Sequence, residues 1–245
     1  MKPKSSAPAR LVINDIPVEV RPNRRRRTRI GVVLDPAGFV VLDAPPNVSD
    51  AEVRAVINEH QRWLRYRLHA LRQDAGSGPS SLLRYQDGEL IHYLGQTLNL
   101  RIDPALIDSV AVWHRTLHVL ATDTDPGPVG DQIRDWYREQ ARVTFGAVLE
   151  DFRELPWLNG ELPKWGHRFM RSQWGSCSAK GRLSLNTHLI KTPRAQIEYV
   201  ILHELCHLKY HHHGAAFHRL VEQHMPDWQV RSEQLNRYLP VLLQD

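Results

Sequence analysis

Residues 199–208 read Tyr-Val-Ile-Leu-His203-Glu204-Leu-Cys-His207-Leu, a His-Glu-x-x-His spacing. On a helix, two imidazoles four residues apart stand on one face about one turn from each other, so both can reach a single ion. The glutamate beside them is placed to take a proton from a metal-bound water, and the chemistry this pattern serves is hydrolysis. With 14 His and 12 Glu in 245 residues, this composition gives about 0.04 chance matches to the motif. It is therefore read as a site. A catalytic zinc takes three protein ligands and keeps one position open. His213, six residues after His207, is a candidate third ligand; His211 and His212 compete by adjacency, and Glu222 from the next helical segment. His218 and His224 read as helix-surface or packing residues, and Cys206 as a small buried side chain off the histidine face.

Positioning these side chains requires a helix. Thr192-Pro193 supplies an N-cap and first-turn pair, Ile197, Val200, Ile201, Leu205 and Leu208 an apolar stripe, and Gly214 a stop. The pattern predicts helices over 193–210, 215–225 and 227–239. Upstream, residues 167–177 and 182–190 read as a hairpin across Ser178–Gly181, and Asp131–Glu150 as an amphipathic helix. Residues 82–122 read as short strands joined in hairpins. Ser49 and Glu52 have capping-box spacing at the head of a helix running to about Arg72, and Leu11–Leu42 reads as strands. Loops at 74–81 and 123–130 punctuate the chain, and no internal repeat is visible. The expected organisation is a flexible N-terminus (1–10), a β-rich region with one helix (11–125) and a catalytic region (126–245).

Composition sets the remaining bounds. Hydrophobic residues at 42% and charged residues at 24% exclude collagen-like, coiled-coil and wholly disordered chains. Two cysteines form no disulfide framework, and neither a long apolar run nor a secretory leader is visible; a cytoplasmic, non-membrane protein is expected. The net charge is +5, yet residues 1–30 alone carry +7 and the other 215 carry −2. The run Arg24–Arg27 with Arg29 can neutralise phosphates. A nucleic-acid-binding protein with a structural metal is accordingly a second reading. It is not favoured, because structural zinc sites are fully ligated and often Cys-rich, and no Cys cluster exists here.

The stretch 171–186 (RSQWGSCSAKGRLSLN), the motif at 199–208, His213-x-x-x-Phe217 and Met225-Pro226-Asp227-Trp228 together resemble the YgjP-like metal-dependent hydrolases, relatives of the SprT and WLM metalloproteases. Residues 24–45 and 87–95 resemble the N-terminal β-region of the same family more loosely. The resemblance implies an α+β fold with a zincin-like, minimal gluzincin-type core behind an N-terminal β-rich region. It implies one Zn2+ on His203, His207 and His213, with Glu204 as the catalytic base. The implied activity is a metallopeptidase acting on peptide or protein; a nucleoside triphosphate pyrophosphatase is the alternative. In such folds a strand edge beside the metal helix can hold an extended peptide, which makes Arg171, Trp174, Gly175, Ser176 and Cys177 candidate substrate-binding residues. The competing role for Gly175 and Ser176 is close packing on the helix. Arg168 and Lys180 can add positive charge near the cleft. Tyr199, His188, Asn186 and Tyr210 are each conceivable transition-state stabilisers, and the sequence selects none of them.

Overall fold

In the computed structural model, residues 10–23, 30–35, 38–74, 83–170, 173–239 and 241 are described. Arg24–Arg27 and Arg29 lie outside them, as does Arg171. The chain divides into two compact units, residues 1–80 and 81–245.

The first unit is a four-stranded sheet followed by a long helix. Strands β1 (Arg10–Ile13), β2 (Ile16–Pro22), β3 (Gly31–Asp35) and β4 (Phe39–Ala44) lie in the order β1-β2-β4-β3, with β2 and β4 parallel and the outer pairs antiparallel. Helix α1 (Asp50–Asp74) starts at the capping box that the sequence announces: the Ser49 amide donates to Glu52 Oε2 (2.8 Å) and the Glu52 amide to Ser49 Oγ (3.3 Å). Ile16, Val18, Val40, Leu42, Val53, Ile57 and Leu64 make the core of this unit.

The second unit opens on the same plan. Strands β5 (Leu90–Tyr93), β6 (Gln96–Pro104), β7 (Ser109–Trp113) and β8 (Thr116–Ala121) lie in the order β5-β6-β8-β7, again with the inner pair parallel and the outer pairs antiparallel. Helix α2 (Pro126–Asp151) follows. The ββββα topology is thus repeated, although no repeat is visible in the amino-acid sequence. The repetition lies in backbone conformation: the first hairpin of each unit turns through two positive-φ residues, Asn14-Asp15 in one and Leu94-Gly95 in the other.

The rest of the second unit is built on α2. Strands β9 (Trp165–Arg168), β10 (Gly175–Cys177) and β11 (Leu183–Asn186) form a small sheet in the order β10-β11-β9, β10 antiparallel and β9 parallel to β11. The expected hairpin is therefore the β10–β11 pair, and residues 165–168 are a separate strand. A 3-10 turn over Thr187–Lys191 carries the chain into α3 (Arg194–Cys206); α4 (Ala215–His224) and α5 (Trp228–Asn236) complete the unit. Pro193, not Thr192, occupies the N-cap position of α3, because the Thr192 hydroxyl donates to the Leu189 carbonyl (2.8 Å) and closes the 3-10 turn instead. Gly214 stands at the head of α4 rather than at a helix stop. Nine of the thirteen residues of α3 are buried, including Ile197, Val200, Ile201 and Leu205, so this helix is covered nearly all round. Among the described residues, no helix is long and apolar enough to cross a membrane.

Candidate metal centre

Helix α3 ends inside the motif. His203 and Glu204 lie in its last turn and His207 at its C-cap, where the chain turns off through residues 208–214 and re-enters a helix at Ala215. The open carbonyls of a helix C-terminus carry partial negative charge, which favours a cation there. Trp157 Nε1 donates to one of them, Leu205 O, at 3.0 Å.

The turn brings His213 back to the pair. One ligand atom from each of His203, His207 and His213 lies within 4.8 Å of the others, and His203 and His213 face each other Nε2 to Nε2 at 2.9 Å. His211, His212 and Glu222 are exposed and do not join this group. Phe217, buried and four residues beyond His213, touches all three rings, with centroids at 4.9, 4.6 and 4.8 Å from His203, His207 and His213. Its i, i+4 spacing from His213 is the sequence signal for that wall. His218 stacks on Trp228 at 5.3 Å and lies 6.3 Å from the His213 ring.

Protonation states suit a metal. The His207 Nδ1–H donates to the Tyr210 carbonyl (3.0 Å), which leaves Nε2 as the lone-pair nitrogen. Burial drives His203 well below the ordinary imidazole range, reinforced by His213, His207 and His218, so it stays neutral. The facing nitrogens of His203 and His213, 2.9 Å apart, can approach that closely only with a proton or a cation between them. Three imidazole nitrogens within 4.8 Å of one another are the kind of donor set that zinc and similar divalent ions take. The donor set fits.

Glu204 is 5% exposed and lies against β10. Burial and the Glu204 carboxylate push the Cys177 thiol up to about 11, and burial pushes Cys206 up to about 12. Burial thus favours the protonated thiol in both, and neither joins the three converging imidazoles. Of the four conceivable transition-state stabilisers, Asn186 and His188 are in the core, Tyr199 sets its ring 5.9 Å from His203, and Tyr210 gives its carbonyl to His207. The Asn186 side chain is committed elsewhere. It accepts from the amides of Met170 (3.1 Å) and His188 (3.0 Å) and donates to the carbonyls of Met170 and Gln173 (2.7 Å each). It anchors the segment leading into β10, a role its place at the end of a strand did not advertise. Arg168 and Lys180 are exposed.

A mixed α+β chain with three imidazoles converging at the end of a His-Glu-x-x-His helix defines a metal-dependent hydrolase class. The family model described as "YgjP-like, metallopeptidase domain" matches residues 28–238. The chain belongs to that family. No curated protein matches it.

Proposed function

We propose that the chain is a zinc-dependent peptidase with a zincin-like core, one Zn2+ held by His203, His207 and His213, and Glu204 as the proton-handling group. The observation that carries this reading is the convergence of three imidazole nitrogens within 4.8 Å beside a buried carboxylate. Zinc, when bound, supplies Lewis acidity that lowers the pKa of water toward about 7 and polarises a carbonyl. The protein's own residues do the rest. His207 is held in one tautomer by Tyr210, His203 is kept neutral by burial, and Phe217 stacks on His207 and meets the other two rings edge-on. Glu204 takes a proton at its carboxylate and returns it to the departing amine.

The small sheet favours a peptide over a phosphoanhydride. β10 is at its edge, and the amide of Asn186 reaches Trp174 O (2.8 Å) while the amide of Ser178 reaches Arg182 O (2.9 Å). By the alternation of an antiparallel pair, the main-chain groups of Gly175 and Cys177 then face away from β11. An extended polypeptide can pair with them. Gly175 and Cys177 are the residues proposed to pair with the substrate, Trp174 and Ser176 to flank them with their side chains, and Arg171 falls outside the described residues. So does the arginine run of the nucleic-acid reading.

The test incubates metal-loaded protein with a labelled unfolded polypeptide and, separately, with a nucleoside triphosphate. Cleavage of the polypeptide is expected; turnover of the triphosphate alone overturns the peptidase reading. Glu204→Gln should keep stoichiometric zinc and lose roughly 10²–10⁴ in kcat. An active variant removes Glu204 from its role.

A further inference from the structure

The peptidase reading names Glu204 but leaves open what holds it in place, and this inference rests on that reading. A glutamate in the last turn of a helix has three side-chain torsions, so its carboxylate position is set by its surroundings rather than by the backbone. Here the surroundings are strand β10. A Cβ built on Gly175 would stand 2.7 Å from Glu204 Oε1, 2.8 Å from Cγ and 3.0 Å from Cδ. The first two are closer than real Cβ atoms approach a neighbour, and the third is tight. The volume that a side chain at 175 would fill is occupied by the Glu204 side chain, including Cγ as well as the carboxylate. Cys177, two residues on and so on the same face of the strand, has its thiol raised first by burial and then by the Glu204 charge, in keeping with a carboxylate near this face of β10.

We infer that Gly175 is a positioning residue for the catalytic machinery: its missing side chain is the seat of Glu204. The need is for space, not for an unusual backbone, because Gly175 is an ordinary strand residue paired with Leu185. Any side chain at 175 moves the Glu204 carboxylate while leaving His203, His207 and His213 untouched. A metal centre that loads normally but turns over slowly is the signature.

Gly175→Ala tests this in two ways. In the zinc-loaded protein, metal stoichiometry should stay at the wild-type value and KM on a labelled unfolded polypeptide within about threefold. The kcat should fall about 100-fold, the low end of what a displaced general base costs. Independently of any activity, urea unfolding of Gly175→Ala, Glu204→Ala and the double variant forms a cycle. The stability lost on adding the methyl should disappear once Glu204 is truncated, because the atoms it strikes are gone. If Gly175→Ala fails to fold, recovery of folding in the double variant supports the inference and its continued failure to fold overturns it. A kcat near wild type, or a penalty that persists in the Glu204→Ala background, overturns it as well. Failure of the peptidase reading looks different: the wild type itself leaves the polypeptide intact, and the unfolding cycle alone then decides whether Gly175 seats Glu204.

Discussion

At the scale of single residues, the site separates groups that reach outward from groups that are used up internally. The His pair at 203 and 207 is legible from sequence because helical periodicity alone makes i and i+4 neighbours. His213 is not: five residues of non-helical chain intervene, and only the folded turn, or a resemblance, brings it back. Asn186 shows the opposite limit. From sequence it is one of four conceivable transition-state stabilisers at the end of a hairpin strand, yet it is fully buried with two amides donating to its oxygen and two carbonyls accepting from its nitrogen. That fills its side-chain capacity with backbone partners and ties residues 170 and 173 to the start of the metal-helix connection. Asn186→Ala strands those four backbone groups in a buried place, and each unsatisfied group costs about 1–3 kcal/mol. We expect a loss of at least about 3 kcal/mol in urea unfolding, with polypeptide turnover falling in the protein that remains folded. A cost below about 1 kcal/mol would show that solvent or a rearranged loop replaces the lost partners.

At the scale of elements, helix α3 depends on contacts from a hairpin that is distant in sequence. The β5–β6 turn lays its backbone along the 3-10 turn, with Leu94 N donating to Ile190 O (2.8 Å) and Gly95 N to Lys191 O (3.2 Å). Gly95 has φ +79, and a Cβ there would lie 2.5 Å from Cγ of Pro193, the N-cap of α3. Hairpin chemistry at Gly95-Gln96 is readable from sequence, but what the hairpin touches is not. The same holds for β9, whose parallel partner β11 lies beyond the reach of local turn signals, since parallel pairs have no turn between them. Gly95→Ala combines a left-handed backbone with a collision against a ring that cannot bend away. It should cost about 2–3 kcal/mol, seen as a lower urea midpoint with an unchanged m-value. A midpoint within error of the wild type would mean the two elements slide apart freely.

At the scale of the whole chain, the two ββββα units show why a fold can be half hidden. Their strand orders and parallel inner pairs coincide, while the turn residues that produce them are Asn14-Asp15 in one and Leu94-Gly95 in the other. Different side chains satisfy one backbone requirement, so similarity of letters is lost while topology stays. Among the described residues the candidate metal centre lies in the second unit, together with three histidines whose pKa values are lowered. Burial, then the Lys191 charge, lowers His92; burial, then Arg138 and Arg142, lowers His167 against the pull of Glu139; burial lowers His203 furthest. Each has a folded pKa below its unfolded value of about 6.5. Below that value the unfolded chain binds more protons than the folded one, so stability must rise with pH. The contribution is complete above about 6.5 and is lost as acidification proceeds toward the depressed folded values. Metal-free protein should therefore unfold at lower urea at pH 5.5 than at pH 7.5, a window in which histidine is the side chain whose ordinary pKa falls. Zinc should widen the gap, because the ion binds only the deprotonated ligands of the folded state. A midpoint that stays level or rises on acidification would mean these imidazoles take up protons in the folded chain as readily as in the unfolded one.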